Sequence, residues 1–250
     1  SKREEMTTIL KELREKGHGT PRNLALALKT FFLGKNLAKC EECKICSGHC
    51  TVASSFDGVE TWSSKGRVLI VKALQNGELP ISPKVVDILY TCTECGLCFG
   101  QCFENLEVNE AILATRNQIA EKGLAPLVFH ETAKNIVDTG DPGAFPIERR
   151  LSWMKSSPFR SISKKAELLY WVGCMVADRN PKAAMAFLKI LNYAKASFTM
   201  LQEREGCCGY VLLSTGLWNE AKKVAEDTIS KIERTRVDAL VTPCAGCYYT

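Results

Sequence analysis

The sequence predicts an α plus α/β protein, and three observations lead to that prediction. Helical patterns with clear start and stop signals dominate the first half of the chain, and strand-like runs alternate with helical ones in the second half. Between the halves, about residues 126–165, Gly140, Pro142, Gly143 and Pro146 indicate a linker or docking segment. The predicted domains are therefore an all-helical domain at 1–125 and a domain with a parallel sheet at 166–250.

The helices of the first half are predicted from local signals. Pro21 and Pro83 each stand in a first turn, where the missing N–H costs nothing. Gly77 and Gly123 each follow the last residue of a helical pattern. The predicted helices are 20–32, 65–76, 83–90 and 108–122, and a further amphipathic pattern opens the chain at 6–13.

Composition excludes several classes of function. The chain has 250 residues, with 33 basic and 28 acidic side chains and a net charge of +5. This bias is too small, without a basic cluster and stacking aromatics, to predict nucleic-acid binding. No apolar run is long enough for a membrane span, and the N-terminus does not look like a secretion signal. We therefore expect a cytoplasmic protein in a reducing compartment.

The 13 cysteines are the dominant feature of the composition. An odd number of cysteines in a reducing compartment argues against a disulfide framework and favours metal-bound thiolates. Eight of them form two runs with the same C-x2-C-x2-C-x3-C spacing: Cys40, Cys43, Cys46 and Cys50, then Cys92, Cys95, Cys98 and Cys102. Two such runs indicate two [4Fe-4S] clusters, because zinc would leave part of each run unused.

The fourth cysteine of each run is expected to serve the other cluster, as in two-cluster ferredoxins. One cluster would then be held by Cys40, Cys43, Cys46 and Cys102, and the other by Cys92, Cys95, Cys98 and Cys50. Thr51 and Phe103 stand where the common run has proline, which affects shielding of the clusters more than their ligation. The 41 residues between the runs are predicted helical. The layout resembles the α-helical ferredoxin module of fumarate reductase and heterodisulfide reductase iron-sulfur subunits.

The second half combines cysteines with an alternating β and α pattern. Strands are predicted at 166–172, 197–201 and 239–242, and helices at 182–196 and 220–235. The remaining five cysteines all follow strands: Cys174, Cys207, Cys208, Cys244 and Cys247. Since parallel strands end at one edge of a sheet, these cysteines should gather there. Iron-sulfur ligation is favoured, with a zinc site or buried small side chains as alternatives.

This spacing resembles the CCG (cysteine-rich) domain of heterodisulfide reductases and of related glycolate oxidase and anaerobic glycerol-3-phosphate dehydrogenase subunits. The resemblance implies that the same five cysteines hold a third, noncubane [4Fe-4S] cluster, or zinc as in some family copies, and that this is the catalytic centre. A helical ferredoxin followed by CCG in one chain resembles the D-type subunit of heterodisulfide reductase. Such subunits carry two CCG motifs, so we expect this chain to be truncated before a second one, with a relative that has a single copy as the alternative.

The resemblance implies a heterodisulfide reductase-like oxidoreductase, one subunit of a complex, that reduces a disulfide. Its partners would be redox subunits of flavoprotein, cytochrome b or ferredoxin type, with peripheral membrane association through a partner. One alternative is an electron-transfer subunit that links a flavoprotein dehydrogenase to a quinone or cytochrome, without a substrate of its own. Another is a scaffold with structural zinc. His18, His49 and His130 are expected to be surface or supporting residues.

A basic stretch crosses the predicted linker. Residues 149–165 carry six basic side chains and no acid. The sequence alone favours a solvated linker, with docking to an acidic partner or to anionic lipid as the alternative.

Overall fold

The computed structural model describes residues 37–40, 43–156 and 166–250. The helices predicted at 6–13 and 20–32 lie outside the described residues. The chain divides into two compact units, residues 1–125 and 126–250. No helix in the described ranges is long and apolar enough to cross a membrane.

In the described residues of the first unit, all regular secondary structure is helical. A 3-10 turn occupies Glu60–Trp62. The α-helices are α1 (Ile45–Gly48), α2 (Thr51–Ser54), α3 (Ser64–Gln75), α4 (Pro83–Tyr90), α5 (Leu97–Gly100) and α6 (Val108–Glu121).

Capping explains where the longer helices begin. The Ser82 hydroxyl accepts a hydrogen bond from the Val85 amide, and Pro83 occupies the first turn of α4, as predicted. Ser63 caps α3 in the same way through the Gly66 amide. Gly66 also lets α3 lie directly on the preceding turn, since a Cβ there would stand 2.1 Å from the Glu60 carbonyl oxygen.

The core of this unit lies between α3, α4 and α6. Its buried residues include Val68, Val71, Leu89, Ile112 and Ile119. Four cysteines are partly buried against the same core: Cys40, Cys92, Cys98 and Cys102. The hydrophobic core formed by these helices therefore packs against cysteines of both runs.

The second unit alternates helices with short strands. Its helices are α7 (Leu127–Thr139), α8 (Ile147–Arg150), α9 (Cys174–Arg179), α10 (Pro181–Tyr193), α11 (Tyr210–Ser214), α12 (Trp218–Glu233) and α13 (Ala245–Tyr249). Its strands are β1 (Leu168–Tyr170), β2 (Phe198–Thr199) and β3 (Ala239–Val241), and 3-10 turns occupy Ser152–Ser156 and Gln202–Arg204.

The three strands form a parallel sheet in the order β2-β1-β3. Leu168 pairs with Phe198 on one side and with Ala239 on the other. Side chains alternate across the sheet: Tyr170 packs with α10 on one face, and Leu169 packs towards Ile232 of α12 on the other. The predicted α plus α/β class is confirmed.

Residues 126–156 differ from the linker that the sequence predicts. Helix α7 buries Ala133 and Ile136 and contacts α12 of the same unit. Arg149 forms an ion pair with Asp178, and Arg150 is buried beside Asp141 and Glu205. The sequence favours a solvated linker for this stretch. Arg149 and Arg150 instead form ion pairs with carboxylates of the second unit.

Candidate metal centres

The structure groups Cys102 with the first cysteine run. Cys46 lies on α1, and burial raises the pKa of its thiol. Further increases come from the charges of Cys40, Cys102 and Cys43, which surround it. The loop is fixed by the Ser64 hydroxyl, which donates to the Cys46 carbonyl at 2.8 Å. The Leu106 amide donates to the Cys102 sulfur at 3.5 Å.

Cys50 lies with the second run. It lines one pocket together with Cys92, Cys95 and Cys98. Burial and the neighbouring Cys92 raise the pKa of Cys98 to about 11. This arrangement is the one that crossed ligation requires, and the ligand assignment itself is a proposal tested below. His49 contacts the Ile45 carbonyl oxygen through Nδ1 at 3.0 Å.

A buried arginine that the sequence does not single out supports the second run. Arg116 of α6 donates to the carbonyl oxygens of Leu89 and Cys92 at 2.8 and 2.7 Å. It also forms a buried ion pair with Glu94, which lies inside the run. Burial raises the pKa of Glu94, and the Arg116 charge opposes that shift. One guanidinium therefore ties Cys92 and Glu94, at the start of the second run, to the core.

Replacing Arg116 with alanine should destabilise the first unit by about 3–5 kcal/mol, because Glu94 would be left buried without its charge partner. We expect a lower thermal unfolding midpoint and loss of iron from the second run. The control is Lys44→Ala, which breaks an exposed pair with Glu60. Equal iron content and midpoint in both variants would contradict this role.

All five cysteines of the second unit come together where the strands end. The sulfurs of Cys174 and Cys207 lie 3.7 Å apart. Cys208 is hydrogen-bonded to Cys207 and to Cys247, and Cys247 in turn to Cys244. The sequence predicts that these five cysteines gather at the edge where the parallel strands end, and the structure places all five there.

Hydrogen bonds between these cysteines shift their pKa values in opposite directions. The hydrogen bond with Cys207 lowers the pKa of Cys174, and hydrogen bonds with Cys207 and Cys247 lower that of Cys208. The same contacts raise the pKa of Cys207 and of Cys247. Thiolate is the form of cysteine that ligates metals, and these contacts favour it at Cys174 and Cys208 more than at Cys207 and Cys247.

A buried carboxylate links two of the cysteine-bearing loops. Glu205 accepts hydrogen bonds from the amides of Val172 and Gly173, at 3.1 and 2.7 Å. Burial raises the pKa of Glu205 to about 7, although these amides and Arg150 act in the opposite direction. Because Glu205 precedes Cys207 by two residues, it holds the Cys174 turn against the Cys207 loop.

The donor sets fit iron-sulfur clusters. Each of the two groups in the first unit offers four thiols, and amide or side-chain N–H groups point at sulfurs, as around protein-bound clusters. All 13 cysteines are free of disulfides. Among the described residues, no three His, Cys, Asp or Glu side chains are gathered as ligands of a single metal ion.

Comparison with known families matches both units. A 4Fe-4S dicluster domain matches residues 36–106, and a cysteine-rich domain (CCG) matches residues 168–250. No solved structure matches the chain.

Three curated relatives illustrate the similarity. The D-type subunit of the dihydromethanophenazine:CoB--CoM heterodisulfide reductase of Methanosarcina barkeri is 25% identical over 85% of this chain and 56% of its own length. The B-type subunit of the fumarate reductase (CoM/CoB) of Methanothermobacter marburgensis is 28% identical over 64% of the chain and 31% of its own length. The probable iron-sulfur-binding oxidoreductase FadF of Bacillus subtilis is 28% identical over 62% and 24%.

The chain therefore spans about half or less of the length of these relatives. It contains both cysteine-bearing domains in the order found by the family comparison, and its cofactors are [4Fe-4S] clusters. The chain is thus an iron-sulfur protein with a 4Fe-4S dicluster domain followed by a CCG domain, and it is similar to the D-type subunit of heterodisulfide reductase.

Proposed function

We propose that the chain carries electrons through the two clusters of its first unit to the five-cysteine site, where a disulfide is reduced to two thiols. The ligands would be those predicted from the sequence: two crossed sets of four cysteines, and the five cysteines of the second unit. Two relatives support thiol chemistry, since CoM and CoB appear in the names of both.

The convergence of five sulfurs on one sheet edge carries this proposal. A cubane uses four thiolates, so a fifth cysteine indicates a different iron-sulfur group. Cys174 and Cys207 are buried, whereas Cys208, Cys244 and Cys247 are partly exposed. A substrate sulfur would therefore approach from the side of α13.

Disulfide reduction consumes two electrons and two protons and yields two thiols. A bound cluster supplies an iron that can accept sulfur, and it exchanges one electron at a time. The chain contributes the positions of its ligands: Glu205 fixes the turn before Cys174, and the Thr242 hydroxyl accepts a hydrogen bond from the Cys244 amide at 3.2 Å. These contacts would keep the ligand cysteines in the same positions between the first and the second electron transfer.

Redox partner subunits, of flavoprotein, cytochrome b or ferredoxin type, would exchange electrons at the first unit. Cys43 and Cys95 are exposed, one in each predicted ligand set. Phe103, directly after Cys102, is 81% exposed. Leu97 and Phe99 of the same segment are 44% and 48% exposed, and several exposed apolar side chains beside the second cysteine run support a protein contact at this side.

A relay without its own substrate is the second candidate. It would carry electrons between a flavoprotein dehydrogenase and a quinone or cytochrome. The similarity to FadF, named a probable iron-sulfur-binding oxidoreductase, supports this candidate.

Electron paramagnetic resonance of the full chain, purified anaerobically, separates the two functions. We expect a signal that appears only when coenzyme M or coenzyme B is added under oxidising titration. The Cys247→Ser variant should lose that signal, whereas Lys222→Ala, which breaks only an exposed ion pair with Glu226 in the same unit, should keep it. Identical spectra with and without thiol, in protein with full iron content, would contradict disulfide chemistry and favour the relay.

A further inference from the structure

Helix α3 carries two buried cations whose side chains end at cysteine sulfurs. Lys65 is 4% exposed, and its Nζ lies 3.3 Å from the sulfur of Cys40. Arg67 is 1% exposed, and its Nη1 lies 3.8 Å from the sulfur of Cys50. The two residues are separated by a single glycine in sequence, and each contacts a different predicted ligand set.

A buried cation is costly unless negative charge compensates it. Arg116 of the same unit pairs with the carboxylate of Glu94. Arg67 instead donates to the Ile88 carbonyl at 2.8 Å, to the Thr91 hydroxyl at 2.9 Å and to the Cys50 sulfur. Within the described residues, sulfur is therefore the only contact of Arg67 that can carry negative charge.

The influence of Arg67 extends to a second member of its group. Arg67 lines the same pocket as Cys92, the first cysteine of the second run. Cys50 and Cys92 come from different runs but line the same pocket. Arg67 thus acts on the group that contains Cys50 and the second run, and Lys65 acts on the group that contains Cys40.

Further contacts fix the position of α3 relative to the first cysteine run. Ser64 donates to the Cys46 carbonyl, and Lys72, further along the same helix, donates to the Cys40 carbonyl at 3.2 Å. Gly66, between the two cations, admits no side chain because of the Glu60 carbonyl oxygen. The helix is therefore fixed to the first run while presenting one cation to each group.

We infer that Lys65 and Arg67 tune the reduction potentials of the two ferredoxin clusters separately, Lys65 for the set with Cys40 and Arg67 for the set with Cys50. This inference rests on the electron-carrying part of the proposed function. One-electron reduction adds one negative charge and breaks no bond, and the electron comes from a redox partner or, in the test, from dithionite. A buried cation beside a ligand sulfur stabilises the added charge and so raises the potential.

The test is a redox titration of the full chain followed by electron paramagnetic resonance. Lys65→Gln should weaken reduction of one cluster at least tenfold, a fall of about 59 mV for one electron. Arg67→Gln should do the same to the other cluster. Lys65→Arg and Arg67→Lys keep the charge and should restore the potentials to within that tenfold range. Lys122→Gln removes an exposed cation directly after the last residue of α6, at the end of that helix opposite the Asn109 contact with Cys98, and should shift neither potential.

Unchanged potentials in both glutamine variants, with full iron content, would overturn the inference. Equal shifts in the glutamine and the charge-retaining variants would also overturn it, because packing would then explain the effect. If a glutamine variant assembles no cluster, methionine, which fills a similar volume, replaces it in the titration. If the potentials shift but no thiol-dependent signal appears, disulfide reduction is rejected and the tuning by Lys65 and Arg67 still holds. Failure of the proposed function can thus be distinguished from failure of this inference.

Discussion

Replacing Cys102 with serine is expected to remove or alter the cluster of the first run, although Cys102 belongs to the second run in sequence. The reason is its position among Cys40, Cys43 and Cys46, which the pKa of Cys46 reflects. Cys50→Ser should correspondingly alter the cluster of the second run, whose cysteines share its pocket. Each change should affect one four-iron centre, about a third of the iron if three centres are filled.

Single-run variants serve as references for this experiment. Cys102→Ser should give the same electron paramagnetic resonance spectrum as Cys46→Ser, and Cys50→Ser the same as Cys98→Ser. Phe103→Ser, an exposed neighbour of Cys102, should leave both clusters unchanged. A Cys102→Ser spectrum that matches Cys98→Ser instead would show that each run holds its own cluster.

The Gly173→Ala variant should lose the metal group of the second unit while keeping both clusters of the first. Gly173 has φ +82° and ψ 142°, a conformation almost restricted to glycine, which costs other residues about 1–3 kcal/mol. A Cβ there would also stand 2.9 Å from the Cys247 sulfur and 3.5 Å from Cys244 Cβ. Either the turn before Cys174 or the Cys247 loop must move, which separates the ligands.

Gly206→Ala is the matched control, since Gly206 adjoins Cys207 but lies outside the positive-φ glycines. Its added Cβ would meet Gly140 Cα at 3.8 Å, an ordinary contact. Iron analysis and resonance spectra of the two variants measure the difference directly. A Gly173→Ala protein with an unaltered third centre would refute the importance of this close approach.

Local signals explain what the sequence predicts well. The helices at 83–90 and 108–122 follow from Ser82, Pro83 and Gly123, residues whose effect on the backbone is confined to their own turn. The gathering of five cysteines follows from the alternation of strands and helices, because parallel strands share one edge. These features need no knowledge of distant contacts.

Contacts between distant residues account for what the sequence does not predict. Arg149 and Arg150 lie in a stretch that looks like a basic linker, but they meet Asp178, Asp141 and Glu205 in the fold. Lys65 and Arg67 look like the solvated charges of an ordinary helix, and only the packing of α3 buries them against sulfur. Basic residues at the start of a helix that lies between two cysteine runs are the signal that points to such a contact.

Chemical analysis of the anaerobically purified chain tests the central claim most directly. Three filled four-iron centres predict about twelve iron atoms per chain and an equal amount of acid-labile sulfide. Colourless protein without labile sulfide, or with zinc in place of iron at the ferredoxin cysteines, would contradict the account.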